Sequence, residues 1–75
     1  MNFDKELDTQ GLSCPLPILK TKKSLADMTS GQILKIISTD MGSTKDMQAF
    51  ANQTGNTLAS STEDNGIYIF FMKKK

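Results

Sequence analysis

Hydrophobic and polar residues alternate with two different periods along the chain, and these periods separate predicted strands from predicted helices. In residues 3–8, FDKELD, Phe3 and Leu7 fall on one side and three acidic residues on the other, which predicts a short strand. Residues 32–39, QILKIIST, are β-branched and apolar on both sides, as in a strand in the middle of a sheet. The run IYIFFM at 67–72 predicts a last strand, whose apolar faces must be covered.

Two further segments have the 3.6-residue period of amphipathic helices. The first follows two prolines and is predicted to end near Thr29, ahead of a turn. The second begins at Ser43, where Asp46 three residues later resembles a capping box, and Gly55 occupies the position of a left-handed C-cap. The stripes predicted to face the core are Ile18, Thr21, Leu25 and Met28 in the first helix and Met47, Phe50, Ala51 and Thr54 in the second.

A β-hairpin is predicted near the end of the sequence. Asn65 and Gly66 tolerate the positive φ angles that a type I′ turn requires. The strand before this turn offers only Leu58 and Ala59 to a core, which suits the edge of a sheet. The element order is therefore βαβαββ, and a right-handed crossover makes the first two strands parallel. If both helices cover the same face, the fold is a two-layer α/β sandwich.

Composition narrows the class of protein. A chain of 75 residues forms one small domain, 1–75. Its net charge is +1, with nine lysines, eight acids and no arginine, so we expect no direct binding to nucleic acid. One cysteine and no histidine exclude an internal disulfide and the commonest metal ligand, and we expect a cytoplasmic protein without cofactor or metal. No secretory signal is expected, and no apolar run approaches the roughly 20 residues that cross a membrane.

The single cysteine lies where a predicted strand ends and a helix begins, the place where ligand and reaction sites of open α/β sheets gather. Pro15 and Pro17 fit the first helical turn, where a missing N–H costs no intrahelical hydrogen bond. Cys14 is therefore predicted at the helix N-terminus, with the Leu16 amide contacting its sulfur anion. The helix dipole is expected to lower the thiol pKa by less than about one unit.

The chemistry open to this thiol is restricted. No histidine can act as its base, which excludes a cysteine–histidine hydrolase and leaves sulfur exchange, in which the thiolate attacks unaided. The alternative is structural, because free cysteines are often buried and behave as small hydrophobic residues. On these residues alone both interpretations of Cys14 stay open.

Residues 14–17, CPLP, match the C-P-x-P signature of the TusA family, and the sequence resembles that family. Its members are also called SirA-, YeeD- or YedF-like small sulfur-carrier proteins. The resemblance extends over nearly the whole chain and implies an α+β fold: a two-layer α/β sandwich, with two helices on one face of a mixed four-stranded sheet. It also implies that Cys14 carries sulfane sulfur as a persulfide. The residues that carry the signature are Asp8, Gly11, Leu12, Cys14, Pro15 and Pro17, with Lys20 or Lys22 behind them.

Partners are likewise implied by the resemblance. A cysteine desulfurase or a rhodanese would donate the sulfur, and a DsrE/TusBCD-like protein or another sulfurtransferase would accept it, in tRNA thiolation, sulfur oxidation or molybdenum-cofactor metabolism. Polar positions at which similar proteins dock partners match Lys22, Asp40, Lys45 and Asp46 here, although solvated or capping roles are equal alternatives.

The chain departs from its relatives at the second helix. Met47 and Gln48 follow Asp46 where many relatives have Ile-Pro, and Lys45 stands where arginine is common. Lysine cannot reproduce the bidentate pairing of arginine with a carboxylate, so these differences concern the identity of the partner.

Two other functions are consistent with the same residues. In a non-catalytic interaction or regulatory module, the C-P-x-P segment would only start a helix. A thiol redox sensor would require an intermolecular disulfide, since the chain has no second cysteine.

Overall fold

The computed structural model describes residues 2–75 and confirms the βαβαββ order. The sheet has the strand order β1-β2-β4-β3, in which β1 and β2 are parallel and the other neighbours antiparallel. Neither helix is long and apolar enough to cross a membrane. The elements are β1 (Lys5–Thr9), α1 (Leu16–Ala26), β2 (Ile33–Ser38), α2 (Ser43–Thr54), β3 (Thr57–Asp64) and β4 (Ile67–Lys73).

The core lies between the two helices and one face of the sheet. Strand alternation places Leu34 and Ile36 of β2 on this face, directly opposite Met72 and Phe70 of β4. All four side chains are fully buried. The helices and the turn after α1 complete the core with Leu25, Met28, Met47, Phe50 and Ala51.

The predicted helix stripes face this core. Of the stripe predicted for α1, Thr21 and Leu25 are buried, and Ile18 is half-buried against the core. The helix ends at Ala26, earlier than predicted, and Met28 enters the core from the following turn. In α2 only Thr54 of the predicted stripe is not fully buried. Burial of an apolar stripe on each helix stabilises the two-layer arrangement.

The turn predictions are confirmed by the backbone. Gly55 ends α2 at φ 81°, and its N–H donates to the carbonyl of Ala51. Asn65 and Gly66 have φ angles of 52° and 81°, as a type I′ turn requires. β3 is an edge strand, as predicted. Its predicted core residue Ala59 is exposed, because it directly follows Leu58, which packs against the core, and it has no paired residue at the bulge between Leu58 and Ser60.

The predicted capping box is wrong. Ser43 is the first residue of α2 rather than its N-cap, which is Gly42, and no side chain caps the helix. The Ser43 hydroxyl is buried and pairs with the hydroxyl of Ser38 at the end of β2. A tertiary hydrogen bond has taken the place of the local one.

Candidate functional site

Two loops meet at the carboxyl ends of the parallel strands β1 and β2. The Gly11 N–H donates to Thr39 Oγ1 across 2.9 Å, and the Cys14 N–H donates to Asp40 Oδ2 across 3.0 Å. Below these contacts, Thr9 Oγ1 donates to the Ile37 carbonyl across 2.6 Å. The loop that carries the cysteine is therefore fastened to the loop that follows β2.

Asp40 is held in place from several directions. Its N–H donates to Ser38 Oγ across 3.1 Å, and its carbonyl accepts from the Ser43 N–H across 3.0 Å. Its other carboxylate oxygen, Oδ1, accepts from the Gly42 N–H across 3.2 Å. The Ser38–Ser43 pair is buried and is hydrogen-bonded to the Asp40 backbone. These bonds restrict the position of the Asp40 carboxylate that contacts the Cys14 backbone.

Cys14 is exposed and precedes α1. Pro15 is the N-cap, Leu16 begins the helix, and the Pro17 side chain is buried beneath it. The predicted contact between the Leu16 amide and the sulfur is wrong, because this N–H donates to the Ser13 carbonyl across 2.8 Å. The Leu16 N–H, which was expected to stabilise the sulfur anion, is used instead for the backbone hydrogen bond of the turn that carries the thiol.

The thiol has acidic neighbours. Hydrogen bonding to the Asp46 carboxylate raises the pKa of Cys14, and desolvation and the negative charges of Asp46 and Asp40 act in the same direction. Because the side chain is exposed, the carboxylates are the more important cause. The expected lowering of the pKa by the helix dipole is therefore wrong in sign. At neutral pH the thiol is predominantly protonated.

The four residues predicted to dock a partner divide into two pairs. Asp40 and Asp46, both half-buried, lie beside Cys14. Lys22 and Lys45 are exposed and neutralise neither carboxylate: within residues 2–75 the ion pair is Lys35–Glu6, at 3.8 Å between Nζ and Oε1. The lysines are consequently free to interact with another molecule.

The sequence reasoning missed the supporting residues Ser38 and Ser43. Two small polar residues at the end of a buried strand and the start of a helix were a usable signal, since such hydroxyls must find partners when buried. It also missed the approach of Asp46 to the thiol, which depends on how α2 is placed against α1.

Three exposed apolar side chains lie on the helix that follows Cys14 and on the loop that is hydrogen-bonded to it. Leu16 and Leu19 on α1 are 44% and 55% exposed, and Met41 in the loop after β2 is 84% exposed. Residues 2–75 enclose no pocket and contain no cluster of three metal-ligating side chains. An exposed thiol that no pocket encloses suits reaction with a group that another macromolecule presents.

Comparison with known proteins decides the family, since the family model described as Sulfurtransferase TusA matches residues 5–74. The chain belongs to the TusA family. It is 58% identical over 73 residues to the sulfur carrier protein TusA of Allochromatium vinosum, covering 97% of this chain and 96% of that protein. It is 44% identical to a putative sulfur carrier protein of Neisseria meningitidis serogroup A, covering 92% and 93% of the two chains.

A solved structure shows the fold of this TusA-family chain independently. The crystal structure of the SirA-like protein from Desulfitobacterium hafniense superposes with a TM-score of 0.82 at 24% identity, covering 93% of this chain and 96% of that one. At this identity the likeness concerns the fold alone. It confirms the two-layer α+β architecture implied by the sequence resemblance.

Proposed function

We propose that this protein is a sulfur carrier that holds sulfane sulfur as a persulfide on Cys14 and relays it between larger enzymes. The observation that carries the proposal is the exposure of the chain's one thiol on the fastened loop before α1. Similarity to a sulfur carrier protein over nearly the full length supports the same chemistry. A cytoplasmic location fits, because a reducing compartment keeps a free thiol available.

The transfer requires no external oxidant or reductant. The Cys14 thiolate attacks the terminal sulfur of a donor cysteine persulfide, the donor's S–S bond breaks, and the donor cysteine leaves as a thiolate. Cys14 now carries the persulfide. A thiolate of the acceptor then attacks its terminal sulfur, and Cys14 leaves as a thiolate that regains a proton.

The proposed donor is a cysteine desulfurase or a rhodanese, and the proposed acceptor a DsrE/TusBCD-like protein or another sulfurtransferase, serving tRNA thiolation or sulfur oxidation. A relay between proteins is supported by the lack of any pocket in residues 2–75 that could enclose a small substrate. The exposed Leu16, Leu19 and Met41 offer apolar area for such contacts.

Mass spectrometry tests the proposal. After incubation with a cysteine desulfurase and cysteine, or with a rhodanese and thiosulfate, the intact protein should gain about 32 Da, the mass of one sulfur atom, and dithiothreitol should remove it. Cys14→Ser should gain nothing. The matched control Ser13→Ala leaves the thiol in place and should load normally.

The opposite results identify the alternatives. If neither donor loads Cys14 while iodoacetamide still alkylates it, the carrier function is refuted. If Cys14→Ser retains biological function in the native organism, the protein is a non-catalytic interaction module.

A further inference from the structure

Met41 is the exposed one of the four methionines in residues 2–75. Its side chain is 84% exposed, whereas those of Met28, Met47 and Met72 are 7%, 0% and 0% exposed. A thioether is oxidised by dissolved peroxides only where they can reach its sulfur. Accessibility therefore separates Met41 from the three methionines of the core.

A hydrogen-bonded turn holds Met41 in this position. The Ser43 N–H donates to the Asp40 carbonyl across 3.0 Å, which closes a four-residue turn with Met41 at its second position. The Gly42 N–H donates to Asp40 Oδ1 across 3.2 Å, and the Asp40 N–H donates to Ser38 Oγ across 3.1 Å. Because the backbone on both sides of Met41 is held by these bonds, its side chain reaches the core only if they break.

Met41 also adjoins the residue that fastens the cysteine loop. Asp40 Oδ2 accepts from the Cys14 N–H across 3.0 Å, and Met41 follows Asp40 in the chain, with the usual Cα spacing of about 3.8 Å. One partner in a typical protein complex contributes about 800 Å² of interface, an area roughly 30 Å across. A protein that reaches the thiol with an interface of that size also covers Met41.

We propose that Met41 is a site of reversible oxidation by hydroperoxides, and that its sulfoxide slows sulfur transfer through Cys14 by weakening the contact with partner proteins. The second part rests on the carrier function proposed above. A thioether is apolar and adapts its shape to an interface, whereas a sulfoxide is polar and accepts hydrogen bonds. Burying the sulfoxide against a partner costs free energy unless that partner supplies a donor.

The oxidation is an oxygen transfer from peroxide to sulfur. The Met41 sulfur attacks one oxygen of the hydroperoxide, the O–O bond breaks, and the proton passes to the departing oxygen, which leaves as water or an alcohol. Sulfur loses two electrons and the peroxide gains them. In the reverse step, two thiols of a sulfoxide reductase supply two electrons and two protons, become a disulfide and release the oxygen as water.

Peptide mass spectrometry tests the site of oxidation on the whole protein. Cys14 is first blocked reversibly with methyl methanethiosulfonate, hydrogen peroxide is added, and tryptic peptides are measured for a gain of about 16 Da, the mass of one oxygen atom. In the folded protein Met41 should be oxidised about tenfold faster than Met28, Met47 or Met72, and in urea all four should react at similar rates. Equal rates in the folded protein overturn the proposal.

Sulfur loading tests the effect of the sulfoxide. Dithiothreitol unblocks Cys14 and leaves the sulfoxide in place; after its removal, a cysteine desulfurase and cysteine are added and the gain of about 32 Da is followed. The loading rate of oxidised wild type should fall by about threefold or more relative to untreated protein. Treatment with methionine sulfoxide reductases A and B and a reductant should restore the rate.

The matched control is Met41→Leu, which keeps an apolar side chain of similar volume and removes the oxidisable sulfur. This variant should load at the same rate before and after the peroxide treatment. If wild type and Met41→Leu lose loading equally, or if oxidised wild type loads at the full rate, the effect on transfer is overturned.

The two measurements separate the role of Met41 from the carrier function. If untreated protein gains no sulfur from a desulfurase or a rhodanese, the carrier function fails and the effect on transfer fails with it, while the peptide masses decide the oxidation site. If untreated protein loads normally and peroxide does not oxidise Met41 selectively, only the role of Met41 is refuted.

Discussion

The backbone N–H of Cys14 donates to the side chain of Asp40 across 3.0 Å, joining two loops whose residues lie 26 positions apart in the chain. Both loops follow strands that run parallel, so their ends meet at the same edge of the sheet. The presentation of the thiol therefore depends on tertiary structure as well as on its own proline-containing segment.

Replacing Asp40 by alanine is predicted to loosen the cysteine loop. The variant loses charge-assisted hydrogen bonds from Cys14 and Gly42, at a cost of about 1–3 kcal/mol in the free energy of unfolding. Hydrogen exchange of the Cys14 amide, followed by NMR, should accelerate relative to wild type. Asp27→Ala is the control, and equal exchange rates in wild type and Asp40→Ala would show that the hydrogen bond does not hold the loop.

The buried hydroxyl pair Ser38–Ser43 is predicted to show strong coupling. Ser38→Ala leaves the Ser43 hydroxyl and the Asp40 N–H without their partner and should cost about 1–3 kcal/mol. The double variant Ser38→Ala/Ser43→Ala should cost less than the sum of the two single variants, as measured by urea unfolding. Strict additivity would contradict the pairing.

Two methionines six positions apart provide a matched test of the core. Met47→Ala removes a fully buried side chain and should reduce the free energy of unfolding by about 2–5 kcal/mol. Met41→Ala removes one that is 84% exposed and should change it by less than about 0.5 kcal/mol. The urea unfolding midpoints of the two variants and wild type, measured under the same conditions, test this difference. Similar losses of stability in both variants would mean that α2 does not pack as described.

The reactivity of Cys14 is predicted to depend on pH in a specific direction. Asp46 and Asp40 raise the thiol pKa in the folded protein, so at any given pH the thiolate fraction is lower than in the unfolded chain. The iodoacetamide rate should therefore rise with pH along a curve whose midpoint is higher for folded protein than for the same chain in urea. A folded midpoint equal to or below the unfolded one would contradict the influence of the carboxylates.

Much of the fold could be predicted because its signals are local. The stripes of α1 and α2, the Gly55 cap and the Asn65–Gly66 turn are specified by residues within a few positions of one another. The prediction of a capping box at Ser43 was wrong because a serine hydroxyl can bond either to a nearby backbone group or to a distant side chain. The sequence does not show the distant partner, which is Ser38.

The sequence by itself determined the elements, their order and the position of one thiol directly before a segment with two prolines, because periodicity and proline chemistry act along the chain. Only the tertiary structure decided the electrostatic environment of that thiol. Asp40 and Asp46 lie far from Cys14 in sequence but beside it in space, and Coulomb interactions and hydrogen bonds depend on distance in space. The direction of the Cys14 pKa shift was consequently beyond the reach of sequence patterns.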